Sequence, residues 1–243
     1  MKALVDALRV ATFYDVSPVI SERLPIFPGH PPVSIDGASR THERDGYFLQ
    51  HLSFGEHIGS HVDAPAHAVA GLAHRTIDQY AVDRFILPYV KYDLATYELG
   101  PGDLVTRSTL EEVERRDGFA PQAGEIAIVQ FGWDRFLQPA SDDVAEREWW
   151  IRNAPGLAAD ACAHLVEHGV HAVGSDTATC DAAVVDGETT SAVGHLESFL
   201  PREILLFEGL IGLDAAPVRG LFMGLPLRIE GGSGSPIRAV LIG

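Results

Sequence analysis

Cysteine is scarce in this chain. Cys162 and Cys180 are the only two in 243 residues, too few for a disulfide framework at this size, so both are expected reduced and structural. Basic residues are also few: 18 lysines and arginines stand against 34 acids, a formal charge of -16. Phosphate backbones are bound by clustered Lys and Arg. No basic stripe is present, which excludes a nucleic-acid partner and argues against an anionic membrane surface. No run of ~20 apolar residues exists to span a bilayer. Asp6 and Arg9 interrupt the apolar run at the N-terminus, so no signal peptide is expected and the expected location is the cytoplasm. Low-complexity tracts, internal repeats and linkers are missing too. Residues 1–243 are therefore read as one domain.

What remains has the composition of a globular protein, 46% hydrophobic and 21% charged,. Apolar runs predict strands at Leu87–Leu94, Glu125–Phe131, Val170–Gly174, Ile204–Glu208, Leu221–Ile229 and Ile237–Ile242. Ser108-Thr109-Leu110-Glu111 has the capping-box pattern and predicts a helix to about Asp117. A second helix is expected from Pro155 to His168, ended by Gly169. Its inner face would carry Leu157, Ala161, Leu165 and His168. The segment Val144–Arg152 is read as helical as well. This mixed order implies an α/β protein with a strand-rich core.

The most informative stretch is His57-Ile58-Gly59-Ser60-His61-Val62-Asp63-Ala64-Pro65-Ala66-His67. Three histidines and an aspartate fall in eleven residues, spaced H-x-x-x-H-x-D-x-x-x-H. Neutral imidazoles and a carboxylate are natural ligands of zinc or manganese. Three of the four can hold a metal while the fourth moves protons. His57 and His61 have helical spacing, but Gly59 and Pro65 disfavour a helix there. The preceding Tyr47–Phe54 run reads as a strand. The ligands are thus expected on an irregular segment just past a strand end.

The motif resembles the signature of the cyclase family of metal-dependent hydrolases, H-x-G-T-H-x-D-x-P-x-H, with Ser60 in place of Thr. That family includes kynurenine formamidases and isatin hydrolases. Tyr14-Asp15-Val16-Ser17, the proline-rich Pro25–Pro32 loop and Gly174-Ser175-Asp176-Thr177 are similar to its other elements. So are Pro226-Leu227-Arg228-Ile229 and Ser235–Ala239. Phe131-Gly132-Trp133 resembles its Thr-Gly-Trp, with Phe replacing Thr. His195 and Glu208 resemble its distal His…Glu pair.

The resemblance implies a layered β/β/α fold of the swivelling type, and a homodimer or homotetramer. It implies a first metal on His57, His61 and Asp63. Asp63 would bridge to a second metal completed by His195 and Glu208, while some relatives work with one manganese. It assigns His67 as general acid/base. Phe131 and Trp133 would suit an aromatic substrate.

The chemistry follows from the residue types. A metal with an open position lowers the pKa of bound water from ~15.7 to about 7, and the hydroxide attacks a carbonyl carbon. His67 then carries the proton to the leaving atom, helped by an imidazole pKa of about 6.5. The expected activity is hydrolysis of a small amide-type carbonyl compound, kynurenine formamidase-like. An isatin hydrolase-like lactam opening comes next, and a lactone hydrolase is a further alternative. A binding protein without turnover would have no need of the spare His67. A structural zinc site would be closed by four ligands. The histidines outside the motif and His195 are read as structural or solvated. The exception is His30, whose Pro-Gly-His-Pro loop can approach the site.

Overall fold

The structure is a computed structural model that describes residues 2–243. Nine strands form one sheet: β1 (Phe13–Asp15), β2 (His61–Asp63), β3 (Ile86–Asp93), β4 (Ile126–Gln130), β5 (Ala172–Ser175), β6 (Leu205–Glu208), β7 (Arg219–Met223), β8 (Gly234–Pro236) and β9 (Val240–Ile242). Their order is β1-β9-β7-β3-β4-β5-β6-β2-β8. The central four, β3 to β6, run parallel. The strands on either side pair antiparallel. Parallel strands are covered on both faces and read as continuous apolar runs, as Ile126-Ala127-Ile128-Val129 does.

Alternation along these strands builds two cores. Ala127, Val129, Val173 and Leu206 face one core with the helices. Ile126, Ile128, Leu205 and Phe207 face the other. In the second core the rings of Phe207 and Phe222 lie 4.7 Å apart, although β6 and β7 are four places apart in the sheet. Neighbouring strands are about 4.8 Å apart, so a flat sheet would separate those rings by roughly 19 Å. The sheet therefore curls onto itself. With the helices on its outer face, it makes the β/β/α layering of a mixed α/β fold.

An exposed helix α1 (Lys2–Val10) precedes the sheet, and three helices, α2 (Arg107–Asp117), α3 (Val144–Arg152) and α4 (Ala159–Glu167), pack on it. The segment expected to be helical at Val144–Arg152 is α3; Asp143 caps it by accepting the Ala145 N–H at 2.8 Å,. Other expectations are corrected. Thr106, not Ser108, precedes the first turn of α2, and no side-chain cap bond forms there. The expected Pro155–His168 helix begins only at Ala159, because Gly156–Leu157 pairs as a short strand with Leu104–Val105. Leu157 is therefore buried as strand, not on a helical face. The expected Leu221–Ile229 strand stops at Met223, and beyond it only Pro226 bridges to Ile237. Pro lacks the N–H a ladder needs. Among the described residues, no helix is long and apolar enough to cross a membrane.

Candidate metal centre

The motif departs from the irregular segment expected for it. His57 does lie on a loop, but His61-Val62-Asp63 is strand β2, inserted between β6 and β8. Side chains two apart share a face of a strand, so His61 and Asp63 point together to one side while Val62 enters the second core. His67 follows in a single tight turn, Pro65–His67. The hydroxyl of Ser60 donates to the Gly209 carbonyl at 2.8 Å, tying the motif to the chain just after Glu208. Gly209 has φ +65°, and any Cβ there would strike the carbonyl oxygen of Gly59.

Strand register supplies the distal carboxylate. Glu208 is the cross-strand partner of His61, and its Oε2 lies 3.3 Å from His61 Nε2. Its Oε1 accepts the Cys180 N–H at 2.7 Å and stands 3.5 Å from His195 Nε2. His195 enters from a wide helical turn, Gly194–Ser198. Its Nε2 is 3.4 Å from Asp63 Oδ2, and His61 Nε2 is 3.5 Å from Asp63 Oδ1. His61, Asp63, His195 and Glu208 thus close a ring of carboxylate–imidazole spacings between 3.3 and 3.5 Å.

Those spacings are wide for charge-assisted hydrogen bonds, which run about 2.7–2.9 Å. They match a shared cation: two ligand atoms each about 2.1 Å from a tetrahedral zinc stand about 3.4 Å apart. Asp63 is buried, and its Oδ2 has no hydrogen-bond partner. Asp63, Glu208 and Asp181 bring three carboxylates to one buried spot. An orphaned carboxylate oxygen beside other buried carboxylates is costly without a cation. The donor set fits a divalent metal.

His57 is held differently. Its Nδ1 is 2.6 Å from Asp63 Oδ1 and its Nε2 is 2.9 Å from Ser233 Oγ, both hydrogen-bond lengths. The Ser233 hydroxyl donates in turn to Glu56 at 2.6 Å. His67 stands at the rim, with 30% of its side chain exposed and its Nε2 3.7 Å from Asp63 Oδ2.

The electrostatics separate the histidines. Burial alone would push His61 down, but the close approach of the Glu208 carboxylate and the charge of Asp63 outweigh that and lift it to about 9. Burial works against the charged form of His195 as well, yet Asp181 and Glu208 hold it well above the ordinary value. Burial lowers His67 to about 4, with His57, His195 and His61 adding to the fall and Asp63 opposing it. His67 is therefore neutral at neutral pH.

A cavity of about 220 Å³ opens above these groups. Phe27, His30, Trp150, Ile151 and Leu196 form part of its wall. His30 reaches it as expected, its ring 6.2 Å from that of His57. Phe131 and Trp133, expected at the substrate, are fully buried and do not line the cavity. Both backbone N–H groups donate at 2.7 Å to Asp176, the aspartate of the Gly-Ser-Asp-Thr turn. The Trp133 indole N–H donates to the Asn153 carbonyl at 2.7 Å, supporting the end of α3 that presents Trp150. Both cysteines are buried, and burial holds both thiols above their ordinary range. Neither is poised as a nucleophile.

Sequence reasoning missed Asp181, Ser233, Glu56 and Trp150. Ser233 stands in a Gly-rich stretch that carries no signal tying it to His57. Asp181 sits four residues past the Asp-Thr turn with no spacing that ties it to His195.

The family model "Putative cyclase" matches residues 14–182. The chain belongs to the cyclase family. An isatin hydrolase of Roseibium aggregatum is 28% identical over 220 residues, covering 87% of this chain and 81% of that one. A kynurenine formamidase of Salinibacter ruber is 26% identical over 228 residues, 93% of this chain and 95% of that one. Among solved structures, isatin hydrolase A of Ralstonia solanacearum superposes with a TM-score of 0.82 at 27% identity, covering 99% and 96% of the two chains. An isatin hydrolase bound to the product analogue thioisatinate also gives 0.82, at 24% identity, covering 100% and 97%. Like these relatives, this cyclase-family chain is a hydrolase, and its buried donor set suits a divalent metal.

Proposed function

We propose that the chain hydrolyses a small, aromatic amide-type carbonyl compound at this centre. The observation that carries the reading is the ring of His61, Asp63, His195 and Glu208 at ligand spacing, with the neutral His67 beside it at the cavity mouth. His61, Asp63, His195 and Glu208 would hold the metal, zinc or manganese as one ion or two, with His57 joining through Nδ1 in place of its bond to Asp63 while Nε2 stays on Ser233. A bound divalent cation supplies a Lewis acid that polarises a carbonyl and acidifies water.

The remaining work falls to the protein. His67, neutral at working pH, takes a proton from the attacking water and returns it to the leaving nitrogen or oxygen. His67 stands beside the ring of His57, with its Nε2 3.7 Å from Asp63 Oδ2. Trp150, Phe27, Ile151 and Leu196 exclude water and seat an aromatic ring.

Both the formamide and the lactam reaction need only this core. The wall favours the lactam. Among the described residues lining the cavity there is no lysine or arginine, so a substrate carboxylate would enter an apolar, acidic pocket unpaired. A fused-ring lactam such as isatin carries no such charge. The test is turnover of isatin and of N-formylkynurenine by zinc- or manganese-loaded protein, with His67→Ala alongside. Turnover of either substrate that His67→Ala lacks supports the hydrolytic centre. Inertness of a metal-replete sample toward amides, lactams and lactones would sink it. The homodimer or homotetramer implied by the resemblance, and the cytoplasmic setting expected from the N-terminal residues, stand as part of the same proposal.

A further inference from the structure

We infer that Asp181 is the positioning residue of the centre: it fixes the ring and tautomer of His195 so that Nε2 faces Asp63 and Glu208. The inference rests on the reading of His195 as a metal ligand.

Three observations carry it. First, the two ring nitrogens of His195 have separate partners. Nδ1 is hydrogen-bonded to Asp181 Oδ1. Nε2 looks the other way, 3.4 Å from Asp63 and 3.5 Å from Glu208. A histidine that donates Nδ1–H to a carboxylate keeps its Nε2 lone pair for a metal. His61 is arranged in the same sense, its Nδ1 donating to the Gly59 carbonyl at 2.9 Å. Second, the other oxygen of Asp181 is spent on the backbone that carries His195. Oδ2 accepts the N–H of Gly194 at 2.6 Å and that of His195 at 3.1 Å. Asp181 thus grips both the ring and the turn it stands on. Third, the turn is shaped around this carboxylate. A Cβ on Gly194 would lie 2.6 Å from Asp181 Cγ and 2.6 Å from Phe199 Cδ2, so only glycine admits the aspartate. The turn is a π-type turn, a form found frequently at functional sites,.

All the groups Asp181 contacts here are N–H donors, and a carboxylate offers only acceptors. Asn keeps the shape but must aim its NH₂ at one of these donors. Either the His195 tautomer flips, or the backbone bonds break.

The test is zinc affinity measured by competition with a chromophoric chelator, for wild type, Asp181→Asn, Asp181→Ala and His195→Ala. His195→Ala identifies the ion that His195 holds. Asp181→Asn and Asp181→Ala are expected to weaken that same ion by about 10- to 100-fold, the usual cost of losing such an outer partner, with saturating zinc content unchanged. Wild-type affinity in both Asp181 variants overturns the proposal. Loss of zinc at saturation, as in His195→Ala, also overturns it and makes Asp181 a direct ligand. If His195→Ala itself leaves affinity unchanged, the proposal falls because His195 is not a ligand. A second measurement needs no Asp181 variant. In a long-range ¹H–¹⁵N spectrum of the zinc-loaded wild type, assigned with His195→Ala, His195 should carry its proton on Nδ1. A proton on Nε2 overturns the proposal.

Discussion

Glu208 lies directly opposite His61 in the antiparallel pairing of β6 with β2, with Oε2 3.3 Å from Nε2. Because the pairing is set by backbone hydrogen bonds, the carboxylate is presented to the imidazole before any metal arrives. Glu208→Gln keeps the shape and removes the charge. It is expected to weaken metal retention by more than the roughly 10- to 100-fold that follows loss of an outer partner. Metal content and affinity measured against a chelator check this, and unchanged values would remove Glu208 from the centre.

His67→Ala should keep the metal and lose turnover by about a hundred- to ten-thousand-fold, the usual range for a general acid/base. His67 sits at about 4 in the folded chain, below its ordinary value, so its neutral form dominates above that pH. Any His67-dependent loss of kcat/KM should therefore appear only as pH falls toward 4. A His67-dependent break near 6.5 would contradict the burial that lowers it.

Metal uptake should release protons. In the metal-free chain His61 titrates at about 9 and His195 is raised, so both carry a proton at pH 7 that a metal must displace. Calorimetry in buffers of different ionisation enthalpy would count the protons; a count of zero refutes the assignment. The sign for stability follows. A raised folded pKa adds stability that is complete below the ordinary value of 6.5 and lost as pH climbs through about 9. The metal-free protein should therefore melt lower at pH 9.5 than at pH 6.

The two tryptophans should separate cleanly. Trp150 lines the cavity, and Trp133 does not. Trp150→Ala is expected to raise KM for an aromatic substrate. Trp133→Phe removes the indole N–H that serves the Asn153 carbonyl. It should cost about 1–3 kcal/mol of stability with KM little changed. Denaturation midpoints and steady-state kinetics on both variants decide between these roles.

Much of the centre was legible because its chemistry is written in adjacent residues. Histidines and an aspartate packed into His57–His67 have few other common uses, and β4 announces itself by an unbroken apolar run. The errors fell where a distant partner overrides local preference. Gly156–Leu157 looks helical beside Pro155 but finds a strand at Leu104–Val105. Phe131 and Trp133 look like substrate contacts and are instead buried, their backbone pinned by the distant Asp176.

The sequence by itself determined the residue types of the candidate centre, their close spacing in the motif and the mixed α/β class. These depend on residue chemistry and on periodicity within one segment. Only the tertiary structure decided that β2 lies between β6 and β8, so that Glu208 faces His61. It alone brought Asp181 to His195, hydrogen-bonded His57 to Ser233 and put Trp150 rather than Trp133 on the cavity wall. Those relations join residues far apart in the chain. They are set by strand register and by the curl of the sheet, which no local pattern encodes.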